Sequence, residues 1–322
     1  MRHGRDPRNN RPMSNGAVEA LKPVVEELIS IFEPVIDKAS RFEWQIMRDG
    51  IVPVVIVGAL RRQFDSLRAI LVLANGGFED KGVALLRPAC EEYLWLKYMK
   101  SLRPEQRECV VRAKSQLEVQ DSVTAQREDA GADRMRAMGF PDSFIERTSR
   151  NADEAQNEIE TLAKALGWPA GKRGKRALPS TWYLARITGE ESLYKLIFHA
   201  SSRTVHFTVS ELLRLAWGTS SEIRVSNVMM SSYWREFVLY WGWRLFFFTF
   251  VEVGELLDGS PFALPDMDSH AESRFGALSI PFSKCGPVPI ITPQEMNLHL
   301  SGKQIEDIFG GADKKAEATE QQ

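Results

Sequence analysis

The sequence has few of the residues that build covalent or metal cross-links. Only three of its 322 residues are cysteines, Cys90, Cys109 and Cys285, and no two of them form a CxxC pair. An odd number of widely separated cysteines argues against a disulfide framework and against a zinc site. We therefore expect reduced thiols in a cytoplasmic protein, with no metal and no cofactor.

Several motifs that identify an enzyme or a targeting signal are also missing. The sequence contains no GxGxxG after a strand, no P-loop, no HExxH and no GxSxG. Its first residues, MRHGRDPRNNRPMSNG, lack the apolar core of a secretory signal. The most apolar stretch, residues 237–251, is shorter than the roughly 20 residues of a membrane span and contains Arg244. We expect this stretch to be a buried helix, with no membrane contact.

The charges are nearly balanced, which removes another class of function. The chain has 41 basic and 43 acidic side chains, a net charge of −2, and 43% hydrophobic residues. Such a chain has no overall field that would attract nucleic acid or an anionic membrane. Any binding of that kind must come from a local patch.

Apolar residues recur at intervals of three and four along most of the chain, which predicts amphipathic helices. Pro23 and Pro34 lie inside the first of these segments and predict a kink or a break there. The missing alternation of strands and helices argues against a Rossmann fold. We predict an all-α fold, an irregular bundle whose main helices cover residues 17–48, 53–74, 79–100, 190–217 and 231–257.

Two further segments complete the predicted organisation. Residues 104–167 are highly charged, and Gly139-Phe140-Pro141 divides them into a protruding helical hairpin, either a solvated pair or a homodimer arm. Residues 258–309 are Pro-rich and predict an irregular segment packed on the 15–257 bundle, with extended pieces at 279–282 and 288–291. Residues 1–14 and 310–322 have the composition of disordered tails.

Two basic segments offer the local patches that nucleic acid would require. The tail at 1–14 contains four arginines, and the loop at 168–179 contains a cluster of four basic residues. Clusters of this kind either bind RNA or remain solvated, and both readings stay open. The candidate nucleic-acid-binding residues in the loop are Lys172, Arg173, Lys175 and Arg176.

The first candidate site lies on the third predicted helix. Arg87 and Glu91 are four residues apart, so their side chains face the same way and can pair. Pro88 has no backbone N–H, which leaves the carbonyl of Ala84 without its helical donor. The group is either an ion pair that stabilises the helix or part of a polar ligand pocket.

The second candidate site lies on the helix predicted at 190–217. His199, Ser202, Arg203, His206 and Ser210 fall on one flank of a helical projection, between apolar surfaces. We expect this polar stripe to be at least half buried beside Arg87 and Glu91. It is either a buried hydrogen-bond network, a site of proton transfer, or, with ligands from elsewhere, a metal site.

These two helices resemble those of a bacterial all-helical family of unknown function. The shared motifs are L-R-P-x-x-E, here residues 86–91, and Y…S-x-x-V-H, here Tyr194 followed by residues 202–206. The resemblance covers about residues 50 to 255 and implies a helical fold and a candidate pocket. By the resemblance, that pocket contains Arg87, Glu91, Ser202 and His206.

A second resemblance is to helical ribonucleases of the HEPN type, which use an arginine and a histidine on one helix. Here Arg203 and His206 are separated by two residues, whereas those enzymes have four to six between the pair. Two hypotheses follow. The first is a binding or regulatory module with a buried Arg/Glu/His cluster and ligand-binding Arg87, Glu91, His199 and Ser202. The alternative is a metal-independent ribonuclease in stress or phage defence, with catalytic Arg203 and His206.

Overall fold

The structure, a computed structural model, describes residues 15–169, 177–219 and 222–284, together with Val288 and Ile290. In these residues the all-α prediction is confirmed, apart from one antiparallel hairpin of two short strands. In chain order the elements are α1 (Asn15–Ala39), α2 (Ile46–Asp49), α3 (Val52–Asn75), α4 (Glu79–Met99), α5 (Pro104–Ala130), α6 (Ala132–Ala137), α7 (Asp142–Leu166), α8 (Thr181–Ile187), α9 (Glu191–Val205), α10 (Val209–Leu213), β1 (Ala216–Thr219), β2 (Glu222–Val225), α11 (Ser231–Leu257) and α12 (Ser269–Lys284).

Helix α11 is the centre of the bundle and packs against α1, α3 and α4. Its residues are apolar nearly all round, so a stable position requires neighbours on most sides. It is long and apolar enough to cross a membrane, but 67% of its most apolar window is buried inside the bundle, which is compatible with a soluble protein. The predicted buried helix at 231–257 is therefore confirmed.

Aromatic contacts hold α1 against α11. The ring of Phe32 is fully buried and makes edge-to-face contacts with Trp243, Phe246 and Phe250 of α11, at centroid distances of 4.9 to 5.6 Å. Phe275 of α12 completes the group at 5.6 Å. Such edge-to-face pairs add about 0.5–1.5 kcal/mol each beyond the area that they bury.

The first predicted helix, 17–48, is shorter in the structure. Helix α1 runs through both Pro23 and Pro34 without a break and ends at Ala39, and the short α2 follows after a loop. Of the predicted kink or break, the break is wrong: packing of the buried face, which includes Leu28 and Ile36, holds the helix together around the prolines.

The predicted charged hairpin is present as α5 and α7, which lie against each other. Their connection contains α6 and the predicted turn at 139–141. Val123, Met135 and Ile145 form a small apolar cluster of their own near the tip, separate from the main core. The base of the hairpin joins the main core through Val110 and Ile159.

Two predicted elements are wrong. The helix at 190–217 ends at Val205, and the chain continues as α10 and the β1–β2 hairpin, in which Trp217 pairs with Arg224. Residues 279–282, predicted to be extended, belong to α12, which includes Pro281. In both cases a short apolar run was compatible with either type of element, and the neighbouring elements decided between them.

Several predicted features lie outside the described residues. These are the tails at 1–14 and 310–322, the basic cluster at 172–176 and the segment from residue 291 onward.

Candidate functional site

Helix α9 lies antiparallel beside α4. The sequence analysis predicted that the helices that carry Arg87 and His199 are neighbours, and these two helices are in contact. We refer to the contact between them as the α4–α9 seam. Three contacts, taken from the beginning of α9 to its end, fix the orientation: Glu190 with Lys97, Phe198 with Arg87, and His206 with Asp80 across a shared cavity.

The first contact is polar and partly buried. Glu190, the residue before α9, accepts a hydrogen bond of 2.7 Å from the hydroxyl of Tyr93 and forms an ion pair with Lys97. Burial raises the pKa of Tyr93, and the neighbouring Glu190 carboxylate raises it further. Tyr93 therefore remains a neutral donor, and the contact fastens the beginning of α9 to the end of α4.

The second contact joins the residues of the two predicted motifs. Arg87 and Glu91 form the predicted pair at 3.4 Å, with 36% and 39% of their side chains exposed. The guanidinium carbon of Arg87 lies 4.7 Å from the centre of the Phe198 ring. The ring of Tyr194 stacks on Phe198 at 4.0 Å. Burial raises the pKa of Tyr194, although the charge of Arg87 opposes that shift.

The stack continues beyond α9. Trp182 of α8 lies 5.5 Å from Tyr194, and the ammonium group of Lys195 lies 5.2 Å from the Trp182 ring. Three aromatic rings thus form a series with a cation at each end, since Arg87 lies against Phe198. Contacts between cations and ring faces contribute about 0.5–1 kcal/mol at exposed sites. These contacts hold the Tyr194 and Phe198 rings in place on the side of α9 that faces solvent.

An open groove of about 740 Å³ runs along the same side of α9. It brings together aromatic surface from Tyr194 and Phe198 with the polar side chains of Lys195, His199 and Ser202. Within the predicted polar stripe, His199 is exposed, whereas Ser202 and Arg203 are partly buried. Two of the four predicted ligand-binding residues, His199 and Ser202, therefore line this groove, and Arg87 and Glu91 support its wall. The lining residues are Ser192, Tyr194, Lys195, Leu196, Phe198, His199, Ser202 and Ile290.

His206 does not meet Arg87 and Glu91, contrary to the sequence prediction. Helix α9 ends at Val205, and His206 has extended backbone and an exposed side chain. It faces the beginning of α4, where Lys81 lies six residues before Arg87, or about 9 Å along the helix at 1.5 Å per residue. The expected buried Arg/Glu/His cluster is therefore divided between the middle of the seam and its end.

A cavity of about 90 Å³ lies at that end of the seam. Its charged groups are paired: Lys81 with Asp80 at 2.7 Å, and both Arg203 and Arg214 with Glu211, at 3.5 and 3.1 Å. Among the lining residues, the cations are Lys81, Arg203 and Arg214, and the carboxylates are Asp80 and Glu211. The full lining comprises Asp80, Lys81, Arg203, Thr204, His206, Thr208, Glu211, Leu212, Arg214, Leu215, Asn227, Met230 and Trp234.

A buried carboxylate, Glu79, directly precedes Asp80 of the cavity lining. Glu79, in the first turn of α4, is 1% exposed and accepts hydrogen bonds of 2.7 Å from Ser231 and Arg235 of α11. These bonds hold the beginning of α4 against the beginning of α11. Among the described residues, no group of three or more His, Cys, Asp or Glu side chains is placed to bind a metal ion.

The family comparison covers both helices of the seam. The family described as "Family of unknown function (DUF5677)" matches residues 54–223, more than half of the chain. The chain belongs to DUF5677. No curated protein and no solved structure matches the chain. The family match confirms the predicted membership of a family of unknown function.

In this DUF5677 protein the matched region begins in α3 and ends in β2, so it contains the seam and most of the residues that line the groove and the cavity. Sequence reasoning missed Phe198, Lys195 and Glu190 as parts of the site. The spacing of four residues between Tyr194 and Phe198 was the available signal, because residues four apart on a helix can stack. The role of Glu190 had no such signal, since its partners come from another helix.

Proposed function

We propose that this protein is a helical binding module that holds a small ligand in the groove along α9. The ligand class is a planar ring that carries an anionic group. The observation that supports this proposal is the groove itself, in which Tyr194 and Phe198 lie beside Lys195, His199 and Ser202. Ligand sites commonly combine apolar and aromatic walls with a few convergent polar groups.

The aromatic wall accounts for the planar part of the ligand. Tyr194 and Phe198 are both partly exposed, and their position is held by Trp182 on one side and Arg87 on the other. A wall fixed in advance loses little side-chain freedom when a ring packs against it. Glu91 holds Arg87 in place and has no direct contact with the ligand in this proposal.

The polar side of the groove accounts for the anionic group. The ammonium group of Lys195 lies 3.8 Å from Glu191, a long and exposed pair that a stronger anion can replace. His199 is exposed, and Ser202 adds a hydroxyl donor. Hydrogen bonds to an ionised phosphate or carboxylate are stronger than those between neutral groups.

Calorimetric titration with AMP tests the proposal, with adenosine and inorganic phosphate as probes that each lack one part. We expect AMP to bind more tightly than either. Lys195→Glu should weaken AMP binding by at least about tenfold, which corresponds to about 1.4 kcal/mol. Phe198→Leu should weaken both AMP and adenosine, because it removes a ring face and keeps apolar bulk.

The matched control is Lys164→Glu, an exposed lysine of α7 that lines none of the grooves described above. It should leave the affinity for AMP unchanged. Equal affinities for AMP in the wild type, Lys195→Glu and Phe198→Leu would overturn the proposal, and so would a failure of AMP to bind.

A second candidate function is cleavage of RNA at the small cavity. The specific observation in its favour is that His206 is exposed and shares the cavity with Lys81, Arg203 and Arg214. A histidine can move protons, and an arginine stabilises developing phosphate charge. Incubation of the protein with mixed RNA tests this function. Cleavage that is lost in His206→Ala supports it, and an intact RNA pool rules it out.

The setting of the protein belongs to the same proposal. We place it in the bacterial cytoplasm, because Cys90 and Cys109 are free thiols and a reducing compartment keeps thiols in that state. We also propose that the hairpin of residues 104–167 is the arm of a homodimer.

A further inference from the structure

A cavity of about 530 Å³ lies between α3, α4 and α5. We call it the α3–α5 cavity, and it shares no lining residue with the groove along α9 or with the small cavity. Most of its lining residues are apolar, and its volume is within the range of small-molecule sites. The lining residues are Val55, Gly58, Ala59, Arg62, Pro88, Glu91, Glu92, Trp95, Leu96, Met99, Val110, Val111, Lys114, Ser115 and Glu118.

One carboxylate of this lining is buried and incompletely bonded. The Glu92 side chain is 10% exposed and forms an ion pair with Arg62 through Oε1. Its Oε2 atom is buried and has no hydrogen-bond partner among the residues that the structure describes. Burial raises the pKa of Glu92, whereas Arg62 and Gln63 act against that shift. Buried polar atoms are rarely left without a partner, so a donor at Oε2 would stabilise the carboxylate.

A glycine of α3 leaves part of the cavity wall open. Gly58 lies inside the helix, where glycine is less favourable than alanine. A Cβ atom added at Gly58 would meet no atom of the described residues within 4 Å, so no close contact with a neighbouring element requires a glycine. The space that a side chain would occupy at this position is therefore free for another molecule.

Trp95 supplies an aromatic surface to the cavity. Its ring is partly buried, and the ammonium group of Lys114 lies 5.7 Å from the ring centre. Leu96 and Met99, which also line the cavity, are buried. An apolar group can pack on this surface, and a ring face of this kind also attracts a cation.

The bonding of the acidic side chains indicates the charge of the ligand. Lys114 is paired with Glu118, and Glu91 belongs to the ion pair of the α4–α9 seam. Of the carboxylates in the lining, Glu92 is the one with a buried oxygen atom that lacks a donor. An ionised donor bonds to a carboxylate more strongly than a neutral donor does. Arg62 has 69% of its side chain exposed, so it can move aside at little cost when such a donor enters.

We propose that the α3–α5 cavity binds a small organic amine. The ammonium group of the amine donates a hydrogen bond to Glu92, and its apolar part packs on Trp95 and occupies the space at Gly58. The proposal does not depend on the ligand of the groove along α9, because the two sites share no lining residue. Binding at the two sites therefore succeeds or fails separately.

Calorimetric titration of the full chain with phenethylamine tests the proposal. Phenethyl alcohol keeps the ring and has a neutral hydroxyl in place of the ammonium group, and hydrocinnamate has a carboxylate there. We expect phenethylamine to bind at least about tenfold more tightly than phenethyl alcohol, and hydrocinnamate to bind most weakly. A failure of phenethylamine to bind, or equal affinities for phenethylamine and phenethyl alcohol, would overturn the proposal.

Two variants locate the amine at the cavity. Gly58→Leu fills the open space and should weaken phenethylamine binding by at least about tenfold, while the higher helix propensity of leucine preserves α3. The matched control is Gly276→Leu in α12, where an added Cβ atom also meets no described atom within 4 Å, and it should leave the affinity unchanged. Glu92→Gln keeps the shape of the side chain and should weaken phenethylamine binding by at least about tenfold, with a smaller effect on phenethyl alcohol.

Unfolding in urea, followed by circular dichroism, shows whether each variant is folded. An unchanged affinity for phenethylamine in folded Gly58→Leu, or equal losses in Gly58→Leu and Gly276→Leu, would overturn the placement of the amine in this cavity. An unchanged affinity in Glu92→Gln, or equal losses of phenethylamine and phenethyl alcohol in that variant, would overturn the hydrogen bond to the carboxylate.

Discussion

The contact between Arg87 and Phe198 gives the sharpest test of the α4–α9 seam. We consider Arg87→Met, which keeps the length of the side chain and removes its charge, together with Phe198→Leu and the double variant. The guanidinium carbon lies 4.7 Å from the ring centre, and 36% of the Arg87 side chain is exposed. At such a site the contact is worth about 0.5–1 kcal/mol. We therefore expect the two substitutions to be coupled by that amount.

The Arg87–Glu91 pair does not disturb this value. Both side chains are more than one third exposed, so solvent screens the pair, and its loss occurs equally in both variants that contain Arg87→Met. Unfolding of the four proteins in urea, followed by circular dichroism, gives the coupling energy. A control cycle pairs Arg87→Met with Phe144→Leu at the tip of the hairpin, which should be additive. Coupling of Arg87 and Phe198 within about 0.3 kcal/mol of zero would refute the seam as described.

Three further predictions concern stability and assembly. Glu79→Ala should lower the free energy of unfolding in urea by about 2 kcal/mol, because it leaves Arg235 without its buried partner; Glu79→Gln, which keeps an acceptor, should cost less, and equal losses would contradict this account. Burial raises the pKa of Glu92 above its ordinary value of 4.5, so the folded protein retains a proton that the unfolded chain has lost. The stability of the wild type relative to Glu92→Gln should therefore fall as the pH rises from 4.5 through the folded pKa, and a rise over that range would contradict the shift. If residues 104–167 form a dimer arm, light scattering at micromolar concentration should give the mass of a dimer, and the mass of a monomer would remove this role.

The sequence was most informative where burial alone decides the structure. The apolar residues of α11 lie on nearly all sides of the helix, so they can be buried only inside a bundle. The bounds of α11 follow from the extent of this apolar run. The pair of Arg87 and Glu91 was equally predictable, because it depends on helical spacing within one element. The tilt and direction of α9 against α4 depend on contacts between elements, which periodicity does not encode.

The end of α9 shows why the candidate site was predicted only in part. Extending the helical projection past Val205 placed His206 on the same face as His199, whereas the chain leaves the helix at that residue. Hydroxyls near the end of α9 bond back to the chain, Ser201 to the carbonyl of Ile197 and Thr204 to that of Ala200, and such bonds compete with regular helix. The error in the predicted end of α9 therefore explains why the sequence analysis placed His206 beside Arg87 and Glu91.

Backbone chemical shifts of the full chain during titration with AMP test the central claim most directly, because they locate the ligand residue by residue. The account predicts shifts at Lys195, His199 and Ser202 that saturate together. Shifts confined to the groove of the α5–α7 hairpin, which is lined by Gln120 and Ile145, or an unchanged spectrum at saturating AMP, would contradict it.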